Sequence, residues 1–170
     1  MQPVRLLLIG AGVIGRTHID RIGRDPHLAL AGIAEPSATG KALAEQLGVP
    51  WAASHLELLE RTHAQGAIVA TPNASHVGMA IDCLERGVAA LVEKPVADTV
   101  AEALALVKAQ QRTGVPVLVG HHRRHNPINS RARSIVQDGR LGRVVTANVM
   151  CTVLKPDAYF DAAWRRQPGG

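Results

Sequence analysis

Residues 4–15 read VRLLLIGAGVIG, and this stretch decides the fold class. The apolar run over residues 4–9 predicts a buried strand. Three glycines follow at once, in the spacing of a tight turn that opens a helix: Gly10, Gly12 and Gly15. Glycines placed between a strand and a helix in this way predict the first βα unit of a doubly wound parallel sheet.

The same alternation of apolar strands and helical patterns continues to Gly120. Helix ends are indicated by glycines at positions 48, 87 and 114, and Ser54 with Glu57 predicts a capping box. Further strands are expected at about 27–34, 49–52, 66–70, 88–92 and 115–120. The predicted fold is therefore α/β, a Rossmann doubly wound parallel sheet over residues 1–122.

After Gly120 the pattern changes, which predicts a second, incomplete α+β domain over residues 123–170. A helix is expected over 127–138, followed by two glycine breakers and a long strand over 143–154. No later strand in the chain could pair with that strand. We expect it to pack poorly and to expose apolar surface.

Composition and charge narrow the function classes. The chain has a formal net charge of +5, and the excess lies after residue 120, mostly as arginines without interleaved aromatic residues. Nucleic-acid binding is therefore not expected. The N-terminus enters the glycine motif without a long apolar segment, which predicts no secretory signal, no membrane span and a cytoplasmic location. Cys83 and Cys151 match no metal or redox spacing, so two buried, reduced thiols are expected.

The glycine motif is the candidate dinucleotide site. A helix that begins behind it offers unpaired N–H groups and a positive dipole end to a pyrophosphate, and Val13 and Ile14 belong to this opening. Glu35, at the end of the second strand, is placed to accept hydrogen bonds from the adenosine ribose and to repel a 2′-phosphate. NAD is therefore preferred to NADP, although Ser37 and Lys41 could serve a phosphate. The alternatives are a purely structural turn and a solvated strand-end acid.

Two further strand ends carry polar side chains toward the middle of the sheet. The first is TPNASH, which contributes Thr71, Pro72, Asn73 and His76. It could equally be an ordinary turn with an Asn cap. The second is EKP, in which Lys94 could hydrogen-bond a substrate hydroxyl or pass a proton, or could simply pair on the surface with Glu93. His121, His122 and His125 lack a carboxylate or thiolate in register, so no metal site is predicted.

These stretches occur in the order GAGVIGRTH, TPNASH, EKP, GHHRRHNP and AWRRQPGG, and together they resemble the Gfo/Idh/MocA oxidoreductases. The resemblance covers essentially all 170 residues, but only the family's cofactor domain and the beginning of its second domain. It implies an NAD(P)-dependent dehydrogenase acting on a sugar, cyclitol or related polyol. It also implies a homo-oligomer once the second domain is complete.

Site roles follow from the resemblance position by position. The glycines and Glu35 would hold the adenosine half of the cofactor. Its central part would be held by Thr71, Asn73 and His76. Glu93 and Lys94 would face the nicotinamide ribose and the substrate, with Pro95 as the family's cis proline. Further cofactor-lining positions are implied at Arg124, Trp164 and Arg165.

Two functional interpretations follow for the chain itself. The family's catalytic His segment would fall just beyond Gly170, which implies a truncated chain that is weakly active or inactive alone. One interpretation is a dehydrogenase with Lys94 as its catalytic residue. The other is a dinucleotide-binding fragment without catalysis.

Overall fold

The structure, a computed structural model, describes residues 2–166 apart from the side chain of Trp164. The chain divides into two compact units, the first ending at Gly120 and the second beginning at His121. The first unit carries the whole of the sheet. The second contains one α-helix and short 3₁₀ turns among its described residues.

Six parallel strands form one sheet in the first unit, in the order β3-β2-β1-β4-β5-β6. The strands are β1 Val4–Ile9, β2 Leu28–Ala34, β3 Trp51–Ala52, β4 Gly66–Val69, β5 Ala89–Val92 and β6 Val117–Val119. The connecting helices are α1 Val13–Arg24, α2 Ala38–Leu47, α3 His55–Arg61, α4 His76–Glu85 and α5 Val100–Thr113. The predicted doubly wound parallel sheet is confirmed.

The strand order places a switch point beside β1. This strand pairs with β2 on one side and with β4 on the other. The helices after β1 and β4 therefore leave the sheet in opposite directions and open a crevice at the carboxyl ends of the strands. The glycine turn after β1 lies at that crevice.

The core is built from aliphatic side chains because the parallel strands are covered by helices on both faces. The largest fully buried aliphatic residues are Leu7, Leu8, Ile9, Ile33, Leu58, Leu84, Val69 and Val92. Burying each of these side chains stabilises the fold by about 1.5–3 kcal/mol. The scarcity of aromatic residues in the sequence is consistent with this kind of core.

The helix termini largely follow the sequence signals. Thr99 and Glu102 form a capping box at the start of α5. The capping box predicted at Ser54 is wrong, because its side chain makes no capping hydrogen bond. Its expected partner, Glu57, instead forms an ion pair with Arg61 one turn later on α3.

The second unit contains the helix α6, Pro127–Gln137, which Asn126 caps through the Ile128 N–H. The strand predicted over 143–154 is wrong: no strand forms there. A strand needs hydrogen bonds from a neighbouring strand, and the described residues of this unit supply none. The segment does expose apolar side chains, as expected, with Val149 92% and Leu154 93% exposed.

The two cysteines differ in environment, and both are free. Cys83 lies buried on α4, and burial raises the pKa of its thiol to about 12. Cys151 is exposed, so the expectation that both thiols are buried is wrong for this residue. Among residues 2–166, no helix is long and apolar enough to cross a bilayer.

Candidate functional site

Packing explains two of the three glycines in the turn after β1. Gly10 has a φ of +93°, and a Cβ there would lie 2.7 Å from the Ala70 carbonyl oxygen. A Cβ on Gly15 would lie 2.0 Å from the Gly10 carbonyl oxygen. The protein's own backbone therefore requires glycine at both positions, with or without a ligand.

Gly12 differs from its neighbours because the fold does not require a glycine there. Its backbone is extended, with φ −67° and ψ −166°, and a Cβ added to it would meet no atom within 4 Å. It is the N-cap of α1 and offers no side chain to the helix. The first N–H groups of α1, including those of Val13 and Ile14, have no partners within the helix. The open space beside Gly12 and this helix terminus fit a pyrophosphate.

Glu35 links the end of β2 to the glycine turn. Its Oε2 accepts a hydrogen bond from the Ala11 N–H at 2.9 Å, and its Oε1 accepts one from the Ser37 N–H at 3.1 Å. Its aliphatic stem lies against Gly40, where a Cβ would stand 2.0 Å from the Glu35 Cγ. The carboxylate is thereby held at the crevice end of β2.

Ser37 and Lys41, the two candidate phosphate ligands, have other partners. The Ser37 hydroxyl accepts a hydrogen bond from the Gly40 N–H and so caps α2. The Lys41 ammonium lies 5.4 Å from the centroid of the Trp51 ring, and the Trp51 indole N–H donates to the Glu35 carbonyl. Among the described residues, the Glu35 carboxylate therefore forms no ion pair with Lys41 or with any other basic side chain.

Thr71, Pro72 and Asn73 follow β4 and lead into a 3₁₀ turn, Asn73–Ser75. The Ser75 Oγ lies 2.8 Å from the Pro72 carbonyl oxygen, to which its hydroxyl can donate, and 2.7 Å from Thr71 Oγ1, whose own hydroxyl can donate to it. Thr71 and Asn73 remain half-buried, at the crevice edge of the central strands. This turn lies next to the glycine turn, because Gly10 packs against the Ala70 carbonyl and the Thr71 side chain.

His76 lies within the wall of the site. Its side chain is buried, with Nδ1 2.8 Å from the Pro95 carbonyl oxygen and Nε2 2.9 Å from the Thr71 carbonyl oxygen. A neutral imidazole has one N–H, so it can donate to only one of these oxygens at a time. Both ring nitrogens face backbone, and the ring braces two loops instead of pointing into the crevice.

Glu93 and Lys94 close β5, and the peptide bond from Lys94 to Pro95 is cis, as expected. The Glu93 carboxylate faces His18 on α1, with Oε1 2.9 Å from Nε2. The Lys94 side chain is exposed, and its ammonium makes no hydrogen bond or ion pair with any described residue. The Lys94 ammonium therefore does not form the alternative surface ion pair with the Glu93 carboxylate.

The remaining predicted residues belong to the second unit. Arg124 is exposed in the 3₁₀ turn His122–His125. The Arg165 guanidinium lies 4.1 Å from the Tyr159 ring centroid and donates to the Tyr159 carbonyl. The side chain of Trp164 lies outside the described residues. Within the described part of the chain, no three His, Cys, Asp or Glu side chains are grouped to hold a metal ion.

Three residues of the site were missed from the sequence: His18, Gly40 and Gly120. His18 lies on the same face of α1 as the buried Gly15 and Ile22, at helical spacing from both. A histidine on a buried helix face needs a hydrogen-bonding partner, which is a signal that could have been used. Gly120 gave no local signal, because its neighbour Glu93 lies at the end of another strand. Gly40 is close to Glu35 in the sequence, but the local pattern does not show that the Glu35 side chain packs against it.

Comparisons with known proteins identify the family of this chain. The family profile described as "Oxidoreductase family, NAD-binding Rossmann fold", GFO_IDH_MocA, matches residues 4–121. A 4-carboxy-2-hydroxymuconate-6-semialdehyde dehydrogenase of Sphingobium is 33% identical over 140 residues, which cover 81% of this chain and 44% of that protein. An inositol 2-dehydrogenase of Corynebacterium glutamicum is 29% identical over 149 residues, covering 85% of this chain and 44% of that protein.

Among solved structures, the WlbA dehydrogenase of Bordetella pertussis, in complex with NADH and UDP-GlcNAcA, superposes with a TM-score of 0.87 at 29% identity. The match covers 96% of this chain and 51% of that one. The chain thus spans about half the length, or slightly less, of the relatives it matches. From the profile match and the sheet order together, we conclude that the chain belongs to the Gfo/Idh/MocA oxidoreductase family and carries its NAD-binding Rossmann domain.

Proposed function

We propose that this chain binds NAD at the glycine turn and serves an oxidoreductase that moves a hydride between nicotinamide and a hydroxyl-bearing carbon of a sugar, cyclitol or related polyol. The substrate class follows the relatives, which include an inositol 2-dehydrogenase and a dehydrogenase solved with NADH and a nucleotide sugar. The bound nicotinamide would supply the hydride chemistry. The residues of this chain would bind the cofactor, orient it and hold protons near it.

The observation that carries the proposal is the open space at Gly12. Gly10 and Gly15 are explained by contacts within the protein, whereas a Cβ on Gly12 would meet nothing. A residue whose lack of a side chain has no use in packing is explained by close approach of a ligand to the backbone. The α1 N-terminus beside it favours a negatively charged group.

NAD is preferred to NADP because of the Glu35 carboxylate. The Ala11 and Ser37 N–H groups hold it at the crevice end of β2, where the adenosine ribose hydroxyls would reach its remaining lone pairs. A 2′-phosphate in the same place would bring two negative charges together. The nearest candidate counter-charge, Lys41, stacks over Trp51.

The other proposed roles follow the crevice from the adenosine end to the reacting end. Thr71, Pro72 and Asn73 would line the middle of the dinucleotide, with His76 bracing that turn from behind. Glu93 would face the nicotinamide ribose, and the exposed Lys94 ammonium would donate a hydrogen bond to the substrate oxygen and polarise it. Arg124, Trp164 and Arg165 are proposed to complete the cofactor site. Residues 123–170 would begin a substrate and oligomerisation domain.

The binding step is tested by calorimetric titration of the chain with NAD and, separately, with NADP. Gly12→Ala is compared with Gly23→Ala, since a Cβ at either position meets nothing within 4 Å and both lie at α1. We expect both variants to fold. Gly23→Ala should keep the affinity for NAD, and Gly12→Ala should lose about 10-fold or more, equivalent to about 1.4 kcal/mol. Equal NAD affinity in the two variants, or no NAD binding by the parent chain, would contradict the proposal.

Hydride transfer is tested by following NADH formation with a panel of cyclitols, aldoses and uronic acids. Lys94→Ala should lower any turnover by about 10²–10⁴-fold, the usual effect of removing a positioned proton donor. Binding of NAD without turnover on any member of the panel would show that this chain does not catalyse the reaction by itself. It would favour the second interpretation, in which the chain is a dinucleotide-binding module.

A further inference from the structure

We propose that His18 is a positioning residue of the nicotinamide side of the site. It acts through Glu93: by engaging this carboxylate, the imidazole keeps the neighbouring Lys94 ammonium available to ligands. The inference rests on the proposed function, and it adds His18 to the site together with the way in which this residue positions Glu93.

Three elements meet at the Glu93 carboxylate. From α1, His18 Nε2 lies 2.9 Å from Oε1. At the end of β5, the Lys94 backbone N–H donates to Oε2 at 3.2 Å. At the end of β6, a Cβ on Gly120 would lie 3.1 Å from the carboxylate, so only glycine leaves the group undisturbed. The carboxylate is therefore held on three sides.

Burial makes the His18 contact necessary. The side chains of His18 and Glu93 are only 21% and 14% exposed. A carboxylate removed this far from water needs hydrogen-bond donors, and losing one leaves an unsatisfied charge. Within residues 2–166, His18 is the one side chain that hydrogen-bonds to it.

An alternative donor is the Lys94 ammonium, on the residue adjacent in sequence. In the structure it is exposed and forms no ion pair with any described residue. If His18 were removed, the strongest available compensation would be an ion pair between Glu93 and Lys94, because opposite charges at short range in a partly buried site attract strongly. That pair would withdraw from the crevice the cation that the proposed chemistry uses.

The position of His18 also connects the two halves of the cofactor site. It lies three residues after Gly15 on α1, the helix whose N-terminus faces the proposed pyrophosphate site. One helix thus holds the pyrophosphate end and, through His18, the β5 end. The predicted consequence of losing His18 is selective: nicotinamide-side binding weakens and adenosine-side binding does not.

The test is calorimetric titration of the full chain with NAD and with ADP, which contains the adenosine and pyrophosphate but lacks the nicotinamide riboside. His18→Leu removes the hydrogen bond, and His18→Gln retains a donor at the end of a side chain of similar reach. We expect His18→Leu to weaken NAD binding about 10–150-fold, the range for loss of a hydrogen bond to a charged group. ADP binding should be unchanged, and His18→Gln should stay within about threefold of the parent chain.

A matched control is available elsewhere in the same unit. His55 on α3 forms an equivalent contact with Asp82 on α4, with Nε2 2.9 Å from Oδ2. His55→Leu removes a histidine–carboxylate bridge of the same kind, so it should lower stability without changing the affinity for either ligand. In a Glu93→Gln background, His18→Leu should change NAD affinity by no more than about twofold, since coupled residues are non-additive.

Several outcomes would overturn the inference. NAD affinity that is unchanged in His18→Leu would do so, as would equal weakening of NAD and ADP, which indicates general damage to the fold. A parent chain that binds NAD no better than ADP would contradict the inference while leaving dinucleotide binding intact. A parent chain that binds neither ligand would contradict the proposed function and, with it, this inference.

Discussion

Substitution of Gly40 by alanine offers a sharp test of how the proposed adenosine side of the site is built. Gly40 is the third residue of α2, a position where alanine is ordinarily the better helix former by about 1 kcal/mol. A Cβ there would lie 2.0 Å from the Glu35 Cγ and 2.6 Å from its Cβ. Glu35 must therefore move, and its carboxylate loses one of its two hydrogen bonds, which come from the Ala11 and Ser37 N–H groups.

The magnitude follows from these opposing effects. Losing one hydrogen bond to a charged group costs about 1.5–3 kcal/mol, and the propensity gain contributes at most about 1 kcal/mol in the other direction. We expect Gly40→Ala to be destabilised by about 0.5–2 kcal/mol. Gly78 is the matched control, because it is the third residue of α4 and a Cβ there meets nothing within 4 Å. Gly78→Ala should gain about 0.5–1 kcal/mol.

The assay is urea and thermal unfolding followed by circular dichroism, with NAD titration of each variant. The two variants should differ in melting temperature by roughly 2–12 °C, since about 1 kcal/mol shifts the midpoint by about 2–4 °C in a chain of this size. Gly40→Ala should also weaken NAD binding about 5-fold or more, through displacement of Glu35.

In a Glu35→Gly variant, Gly40→Ala should have the opposite effect on stability. Glu35→Gly removes both atoms that a Cβ on residue 40 would meet, so Gly40→Ala made in that background should stabilise the chain by about 0.5–1 kcal/mol. Gly40→Ala that is as stable as Gly78→Ala, with unchanged NAD affinity, would refute this account of the adenosine side.

Three further outcomes are expected. Thr99→Ala should lower the unfolding free energy by about 1 kcal/mol through loss of the α5 capping box, while Ser54→Ala, which removes no capping hydrogen bond, should be close to neutral in the same urea titration. In a thiol-labelling assay at pH 8, the exposed cysteine of the second unit should react at once and Cys83 only after denaturation, because burial raises the pKa of its thiol to about 12. The hydrogen bond from Arg112 lowers the pKa of Glu85. The pair therefore stabilises the fold at pH values above the ordinary pKa of the carboxyl group, and this stabilisation is lost as the pH falls through the lowered pKa. Arg112→Gln should reduce the dependence of the unfolding free energy on pH in that acidic range.

The features predicted well from the sequence are those written in adjacent residues. Local periodicity, caps and turn chemistry determine the glycine turn and most strand and helix bounds. They also determine the position of Glu35 at the end of the second strand, relative to the glycine turn. The His18–Glu93 contact joins residues 75 positions apart, and no local pattern indicates which carboxylate a buried histidine will meet. The sequence likewise placed His76 in the site but not its orientation, which the Thr71 and Pro95 carbonyls determine.

The incorrect prediction of a strand over 143–154 shows what a local pattern cannot predict. Its apolar composition is typical of a strand, but pairing depends on a partner that local sequence cannot supply. The same reasoning explains the error at Cys151, since a residue in an unpaired segment has nothing to bury it. Burial and strand formation are both properties of the neighbours that a segment finds.

The contacts of the glycine turn bear on the order in which the site is assembled during synthesis. Gly10 leaves the ribosome before Ala34 and Ala70, yet its N–H donates to the Ala34 carbonyl and its α-carbon packs against the Ala70 carbonyl. The turn therefore cannot reach its final form until some sixty further residues have emerged and β4 has docked beside β1. A nascent chain halted before Ala70 would contain the complete glycine motif and no dinucleotide site.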